Sequence, residues 1–169
     1  MRKLKYPTMK NILILIAAVG LTLSGCQSET QPDPTVNTEE EKNAIEATLK
    51  NYEAALNASD VDAVLALYAE DGVFMPTEAP TAVGKEQNRA TYERVFGIIK
   101  LDITFSIDEI VQSGNFAFAL TLSRGEVTVL AEGITLPEEN RELFVLKKTD
   151  DDWKIARYMF NKTSPPASQ

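Results

Sequence analysis

The sequence contains no histidine and a single cysteine, Cys26, among its 169 residues. Nucleophiles activated by histidine and zinc sites built on histidine are therefore excluded. The side chains that remain for acid–base chemistry are those of Asp, Glu, Lys, Tyr, Ser and Thr. We accordingly predict neither a metal site nor a cofactor.

Basic stretches are absent beyond the N-terminal segment. From Cys26 onward the chain has 13 Lys and Arg against 25 Asp and Glu, a formal net charge of −12. A surface of this charge repels phosphate backbones, so nucleic-acid binding is not expected. We interpret the acidity as serving solubility.

A long hydrophobic run is also missing. The apolar segment at residues 12–23 is shorter than the roughly 20 residues that a membrane span needs, and it suits the core of a secretory signal. Basic residues precede it, and it ends in Leu23-Ser24-Gly25-Cys26, which resembles the bacterial lipobox. We predict a lipoprotein signal peptide at residues 1–25 and lipidation of Cys26; an ordinary signal peptide with a stray cysteine is the alternative.

Acylation of Cys26 would consume the only thiol and anchor the protein in the cell envelope through membrane lipid. Gln27, rather than Asp, follows the cysteine. By analogy with Gram-negative sorting, this favours the periplasmic face of the outer membrane, if the host has one.

The composition divides the remaining chain into three parts. Residues 26–37 are polar and proline-containing, which predicts a flexible tether. Residues 38–162 are long enough for one domain with one core. Residues 163–169 (TSPPASQ) predict a disordered tail.

Helical patterns come first in the domain. Thr38 and Glu41 fit a capping box, and an apolar stripe at helical spacing follows at Ile45, Leu49, Tyr52 and Leu56. A short second helix is predicted over 61–68, a short extended piece over 73–75, a loop over 76–83 and a third helix over 84–97.

Alternating apolar residues replace this pattern after residue 98. Strands are predicted from 101 to 107, from 116 to 131, from 142 to 148 and from 153 to 161, with a connection at 136–140. Helices followed by an antiparallel meander indicate an α+β fold. We expect the sheet to curl over the helices as a cone with one open mouth.

Several segments carry a family resemblance: YEAALNASD (52–60), VLALYAED (64–71), Gly84 at a helix start, and DDWKIARYMFN (151–161). Over residues 39–162 the chain resembles the NTF2-like superfamily, within it the SnoaL-like and DUF4440 group, which is related to ketosteroid isomerase. The resemblance implies three N-terminal helices packed on a curved, mostly antiparallel sheet, a buried pocket for a small apolar ligand, and a homodimer.

The resemblance also implies site residues. Tyr52 corresponds to the tyrosine that stabilises the isomerase's oxyanion, Tyr68 and Tyr92 to two further pocket tyrosines, and Glu142 to the protonated acid beside them. Met75 or Pro76 stands where the isomerase has its general base, and neither accepts a proton. Isomerase activity by that mechanism is therefore not expected. The predicted ligand-binding set is Tyr52, Tyr68, Phe74, Met75, Tyr92, Phe96, Phe118, Glu142, Phe144 and Tyr158.

Structural alternatives exist for these residues. The tyrosines could be ordinary core residues, and Glu142 could point inward with Phe144 or outward. The apolar alternation at 116–122 could be core or pocket lining. Three functions remain open: a pocket that binds a small apolar or amphipathic molecule, an enzyme that acts on a carbonyl compound through Tyr52 and Glu142, and a dimeric interaction module.

Overall fold

The computed structural model describes residues 38–163 of the chain. The predicted signal peptide, Cys26, the tether and residues 164–169 of the predicted tail lie outside the described residues. Within the described part, no helix is long and apolar enough to cross a membrane.

Three helices form where the sequence predicts them. Helix α1 (Glu39–Ala58) begins at Thr38, whose hydroxyl accepts a hydrogen bond from the Glu41 N–H at 3.2 Å. Helix α2 (Val61–Leu67) begins at Asp60, whose carboxylate accepts from the Ala63 N–H at 3.0 Å. Helix α3 (Gly84–Ile98) follows the loop after the first strand.

Six strands form one mixed sheet in the order β2-β1-β6-β5-β4-β3. Only the β1–β6 pair is parallel among the pairings of this sheet. The fold is therefore α+β, as predicted. The strands are β1 (Tyr68–Met75), β2 (Ala82–Val83), β3 (Ile99–Ser113), β4 (Phe116–Val129), β5 (Ile134–Thr149) and β6 (Asp152–Lys162).

Several strand boundaries differ from the sequence predictions: β3 runs to Ser113 and not only to residue 107, and β2 lies within the predicted loop over 76–83. Strand β1 begins at Tyr68, because Tyr68 pairs with Ile155 of β6 instead of continuing α2. Strand β5 begins at Ile134, because its residues pair with β4 from Val129 onward; the predicted connection at 136–140 is part of this strand.

The inner face of β4, towards the core, carries small side chains. The rings of Phe105 in β3 and Phe144 in β5 approach each other to 6.0 Å across this strand, which leaves little room above it. The inward residues of β4 are Ala117, Ala119, Thr121 and Ser123. The prediction that Phe118 lines the pocket is therefore wrong: Phe118 lies on the outer face, with Phe116 and Leu120.

A β-bulge in β6 sets which of its residues face inward. Ile155 pairs with Leu146, and Arg157 pairs with the preceding Val145, so Ala156 is an extra residue in the strand. Ile155 and Ala156 are both buried, and the alternation then resumes with Tyr158 inward and Met159 outward. The bulge thus directs Tyr158 towards the helices.

Candidate functional site

A cavity of about 220 Å³ lies between α3, the C-terminal end of α1 and the inner face of the sheet. Its wall is mostly aromatic and aliphatic, with polar groups from β5 and α3. The lining residues are Tyr52, Leu56, Phe74, Pro76, Thr77, Ala79, Thr91, Tyr92, Arg94, Val95, Ile99, Leu101, Ile103, Glu138, Asn140, Glu142, Tyr158 and Phe160.

Five of the ten predicted ligand-binding residues line this cavity: Tyr52, Phe74, Tyr92, Glu142 and Tyr158. Three others support it from outside its lining. The Phe144 ring stacks on Tyr158 at 4.3 Å between centroids, the Phe96 ring packs against Tyr92 at 5.7 Å, and Tyr68 contacts Tyr92.

Met75 does not line the cavity, which corrects the prediction. It pairs with Met159 on the outer face of the sheet, whereas Phe74 faces inward and stacks on Tyr158 at 5.3 Å. Pro76, the other residue placed where the isomerase has its base, does line the cavity. The wall there is apolar, as predicted, but Phe74 and Pro76 form it.

Three tyrosines form a buried hydroxyl network. The Tyr92 hydroxyl lies 2.5 Å from the Tyr52 hydroxyl and 2.8 Å from the Tyr68 hydroxyl. Burial is the main cause that raises the pKa of Tyr52, Tyr68 and Tyr92 above the ordinary value, so all three are neutral near pH 7. The three hydroxyl groups have three protons, and two of these protons form the two hydrogen bonds within the network. The third proton is therefore available to an acceptor outside the network.

Glu142 points inward, which decides between the two orientations that the sequence left open. Glu142 is 5% exposed and lies with Phe144 on the inner face of β5. Thr121 donates to one carboxylate oxygen at 2.5 Å, and the Tyr158 hydroxyl donates to the other at 3.1 Å. Burial raises the pKa of Glu142 and outweighs the hydrogen bonds from Thr121, Ser123 and Tyr158, which lower it.

This raised pKa predicts a pH-dependent effect of Glu142→Gln on stability. The Glu142 carboxyl keeps its proton to higher pH in the folded state than in the unfolded state. The protonated carboxyl therefore contributes fully to the stability of the fold at low pH, and this contribution is lost as the pH rises through the folded-state pKa. The free energy of unfolding of Glu142→Gln, measured by urea denaturation, should therefore rise relative to that of the unmodified protein as the pH is raised above the ordinary carboxyl range.

The surface variant Glu109→Gln on β3 controls for the loss of one negative charge, because Glu109 is exposed. A difference between Glu142→Gln and the unmodified protein that stays constant over this pH range would contradict the raised pKa.

Several lining residues were missed by the sequence analysis, chiefly Glu138 and Asn140 on β5, Arg94 on α3 and Phe160 on β6. Glu138 and Asn140 fell in the predicted connection. The signal that could have found them is the alternation Glu138, Asn140, Glu142, which continues the inward face of the strand by two residues at each step.

Carboxylates line the cavity only on β5, at Glu138 and Glu142. Glu138 forms an ion pair with Lys162 at 3.1 Å and accepts a hydrogen bond from Asn140 at 3.2 Å.

Glu78, in the loop after β1, is exposed and does not line the cavity. Among residues 38–163, no group of three or more acidic side chains could hold a metal ion.

Comparison with known proteins places the fold and the family. The sequence profile of the SnoaL-like domain matches residues 49–158. A ketosteroid isomerase-like protein from Erwinia carotovora atroseptica SCRI1043 is 38% identical, with a TM-score of 0.72 over 76% of this chain and 100% of that one. A search of curated proteins found no match.

More distant structures share the fold. A scytalone dehydratase-like protein from Novosphingobium aromaticivorans DSM 12444 is 19% identical, with a TM-score of 0.64 over 74% of this chain and 85% of that one. A domain with a cystatin-like fold from Nostoc punctiforme PCC 73102 is also 19% identical, with a TM-score of 0.63 over 77% of this chain and 82% of that one. With its matched segment, its helices on a mixed sheet and its inward tyrosines, the chain belongs to the SnoaL-like domain family of NTF2-like proteins.

Proposed function

We propose that this domain binds a small, mainly apolar molecule in the cavity between α3 and the sheet. The observation that carries the proposal is the aromatic and aliphatic cavity of about 220 Å³, whose wall at Phe74 and Pro76 has no proton acceptor. An apolar cavity of about 150 Å³ holds a benzene molecule, so this one suits a compound of one or two rings. The contacts would come from Tyr52, Phe74, Tyr92, Tyr158 and Phe160.

Native mass spectrometry of the full chain purified from cells tests this proposal. We expect a co-purifying small molecule, and we expect Leu101→Trp to lose it because the larger ring fills the cavity. Thr104→Trp, on the outer face of the same strand, should retain it. A chain that carries no molecule and also fails to bind toluene, p-cresol and 4-methylacetophenone in solution would contradict the proposal.

An enzyme that acts on a carbonyl compound is the second candidate. The Tyr52–Tyr92–Tyr68 network and the inward Glu142 favour it, because neutral hydroxyl and carboxyl donors stabilise a developing oxyanion. Glu138 would then be the proton acceptor. Tyr52→Phe and Glu142→Gln should each lower turnover of an enolisable ketone by about 100-fold or more. Unchanged rates in both variants would remove these residues from the chemistry.

We also propose that a second copy of the chain covers the outer face of the sheet. Large apolar side chains are exposed there, among them Phe116, Leu120, Val111 and Met159. A self-complementary apolar patch suits a two-fold dimer. Sedimentation should show a dimer that Leu120→Glu converts to a monomer; a monomeric unmodified chain would contradict this.

Anchoring in the cell envelope through acylated Cys26 is a proposal from the sequence alone. Cys26→Ala should release the protein from the membrane fraction into the soluble fraction. Equal membrane association of both forms would contradict acylation at this position.

A further inference from the structure

Asn140 carries an unpaired hydrogen-bond acceptor at the cavity. Its side chain lines the cavity and the residue is only 6% exposed. Its amide oxygen, Oδ1, is buried and has no hydrogen-bond partner among the described residues. A buried acceptor without a donor is costly, and such groups in native proteins usually have a partner.

Neighbouring groups determine the orientation of this amide. Its nitrogen, Nδ2, lies 3.2 Å from a carboxylate oxygen of Glu138 and 3.4 Å from the Ser123 hydroxyl. Turning the amide over would place Oδ1 against the Glu138 carboxylate, and two acceptors repel each other. Lys162 holds Glu138 in place through the ion pair at 3.1 Å. Oδ1 is therefore kept as the unpaired atom.

The residues around Asn140 limit which kinds of molecule could donate a hydrogen bond to Oδ1. Ser123 and Glu138 contact the nitrogen, and Asn140 itself lines the cavity, so a molecule bound there is the candidate donor to Oδ1. Glu142, two residues further along the same face, also lines the cavity. Arg94 on α3 also lines the cavity, and its positive charge disfavours a cationic ligand.

Aromatic rings on the neighbouring strands β6 and β1 lie on the same inner face as Asn140 and favour a ring compound. The rings of Phe74 and Tyr158 are nearly parallel, with an interplanar angle of 8°, and Phe160 continues this stack at 5.9 Å from Tyr158. A planar ring packs well against such a surface.

We propose that the ligand is a neutral planar ring compound with a hydroxyl or N–H group that donates a hydrogen bond to Asn140 Oδ1. This inference rests on the proposed function, because it names the chemical class of the molecule that the same cavity binds. It differs from a ketone ligand, whose carbonyl oxygen offers no donor to Asn140.

Matched probes test the inference by isothermal titration calorimetry on the full chain. p-Cresol and 4-methylanisole share the ring and differ in the O–H donor. We expect p-cresol to bind about tenfold more tightly, as one well-formed hydrogen bond allows. Asn140→Leu should abolish this preference, whereas Asn161→Leu, at an exposed position of β6, should leave the preference intact.

Glu138→Gln is a second variant, because it removes the carboxylate that orients the amide. It should reduce the preference for p-cresol over 4-methylanisole. Equal affinities for p-cresol and 4-methylanisole, or a preference that persists in Asn140→Leu, would overturn the inference while the proposed binding function stands. Failure of p-cresol, 4-methylanisole and toluene to bind would overturn this inference, and in a chain that carries no co-purifying molecule it would overturn the proposed function as well.

Discussion

Phe144→Ala is expected to lower the free energy of unfolding by about 3–5 kcal/mol, the range for removing a buried aromatic side chain. Phe144 is fully buried on the inner face of β5. Its ring stacks on Tyr158 at 4.3 Å and meets Tyr52 edge-on at 5.7 Å. Alanine would leave a void that these rings cannot fill without leaving their hydrogen-bond partners.

Urea denaturation measures this loss, and Val145→Ala is the matched control. Val145 is the next residue of the same strand, and it is only half-buried on the outer face. Its truncation removes fewer contacts, so we expect a cost of about 1 kcal/mol or less. Equal costs for the two variants would mean that the ring packing beneath the cavity contributes little to stability.

The same void should also weaken ligand binding. Tyr158 and Tyr52 both line the cavity, and Phe144 holds their rings from behind. We therefore expect the affinity of Phe144→Ala for any cavity ligand to fall together with its stability.

Gly125→Ala is expected to cost more than about 2 kcal/mol, because β3 and β4 approach each other too closely at this point for a side chain. Gly125 lies opposite Ile103 in the β3–β4 ladder. A β-carbon there would overlap the Asp102 carbonyl oxygen and lie 2.8 Å from the Ile103 α-carbon. These are backbone atoms, so relief requires β3 to move rather than a side chain to rotate.

Thermal denaturation measures this effect, and Gly97→Ala is the control. An added β-carbon at Gly97 meets nothing within 4 Å, and the position lies in helix α3. Alanine favours the helix there, with a gain of up to about 1 kcal/mol. A Gly125→Ala variant as stable as the unmodified protein would show that the strands can separate at no cost. Since Ile103 and Leu101 line the cavity, a displaced β3 should also reduce ligand affinity.

Much of the fold was predictable because its signals are local. The Thr38 cap and the apolar stripe from Ile45 to Leu56 determine α1 through contacts between residues three or four apart. Alternation likewise predicted β3 from residue 101 onward. The tyrosines Tyr52, Tyr68 and Tyr92 were predicted from the family resemblance; the structure brings their hydroxyls together, and Tyr52 and Tyr92 line the cavity.

The sequence predictions were wrong where the orientation of a side chain depends on the strands that pair with its own strand. Large and small side chains alternate along strand β4, so one face of the strand carries the large ones and the other the small ones. Hydrophobicity alone favoured the face with Phe116, Phe118 and Leu120 as the inner one. The inner series is instead the small one, because Phe105 and Phe144 from the flanking strands meet above it. Met75 was misplaced for a similar reason, since pairing with β6 directs Phe74 inward.

By itself the amino-acid sequence determined the class of fold, the position of the helices, the absence of a carboxylate at Met75 and Pro76 and the exclusion of histidine chemistry, since each depends on residue identity or on neighbours along the chain. Only the tertiary structure decided that the extra residue Ala156 directs Tyr158 inward, that Glu142 is buried beside it, and that Asn140 is left with an unpaired acceptor. These features depend on strand register and on side chains more than fifteen residues apart. Such contacts form only when the sheet is assembled, so no local pattern carries them.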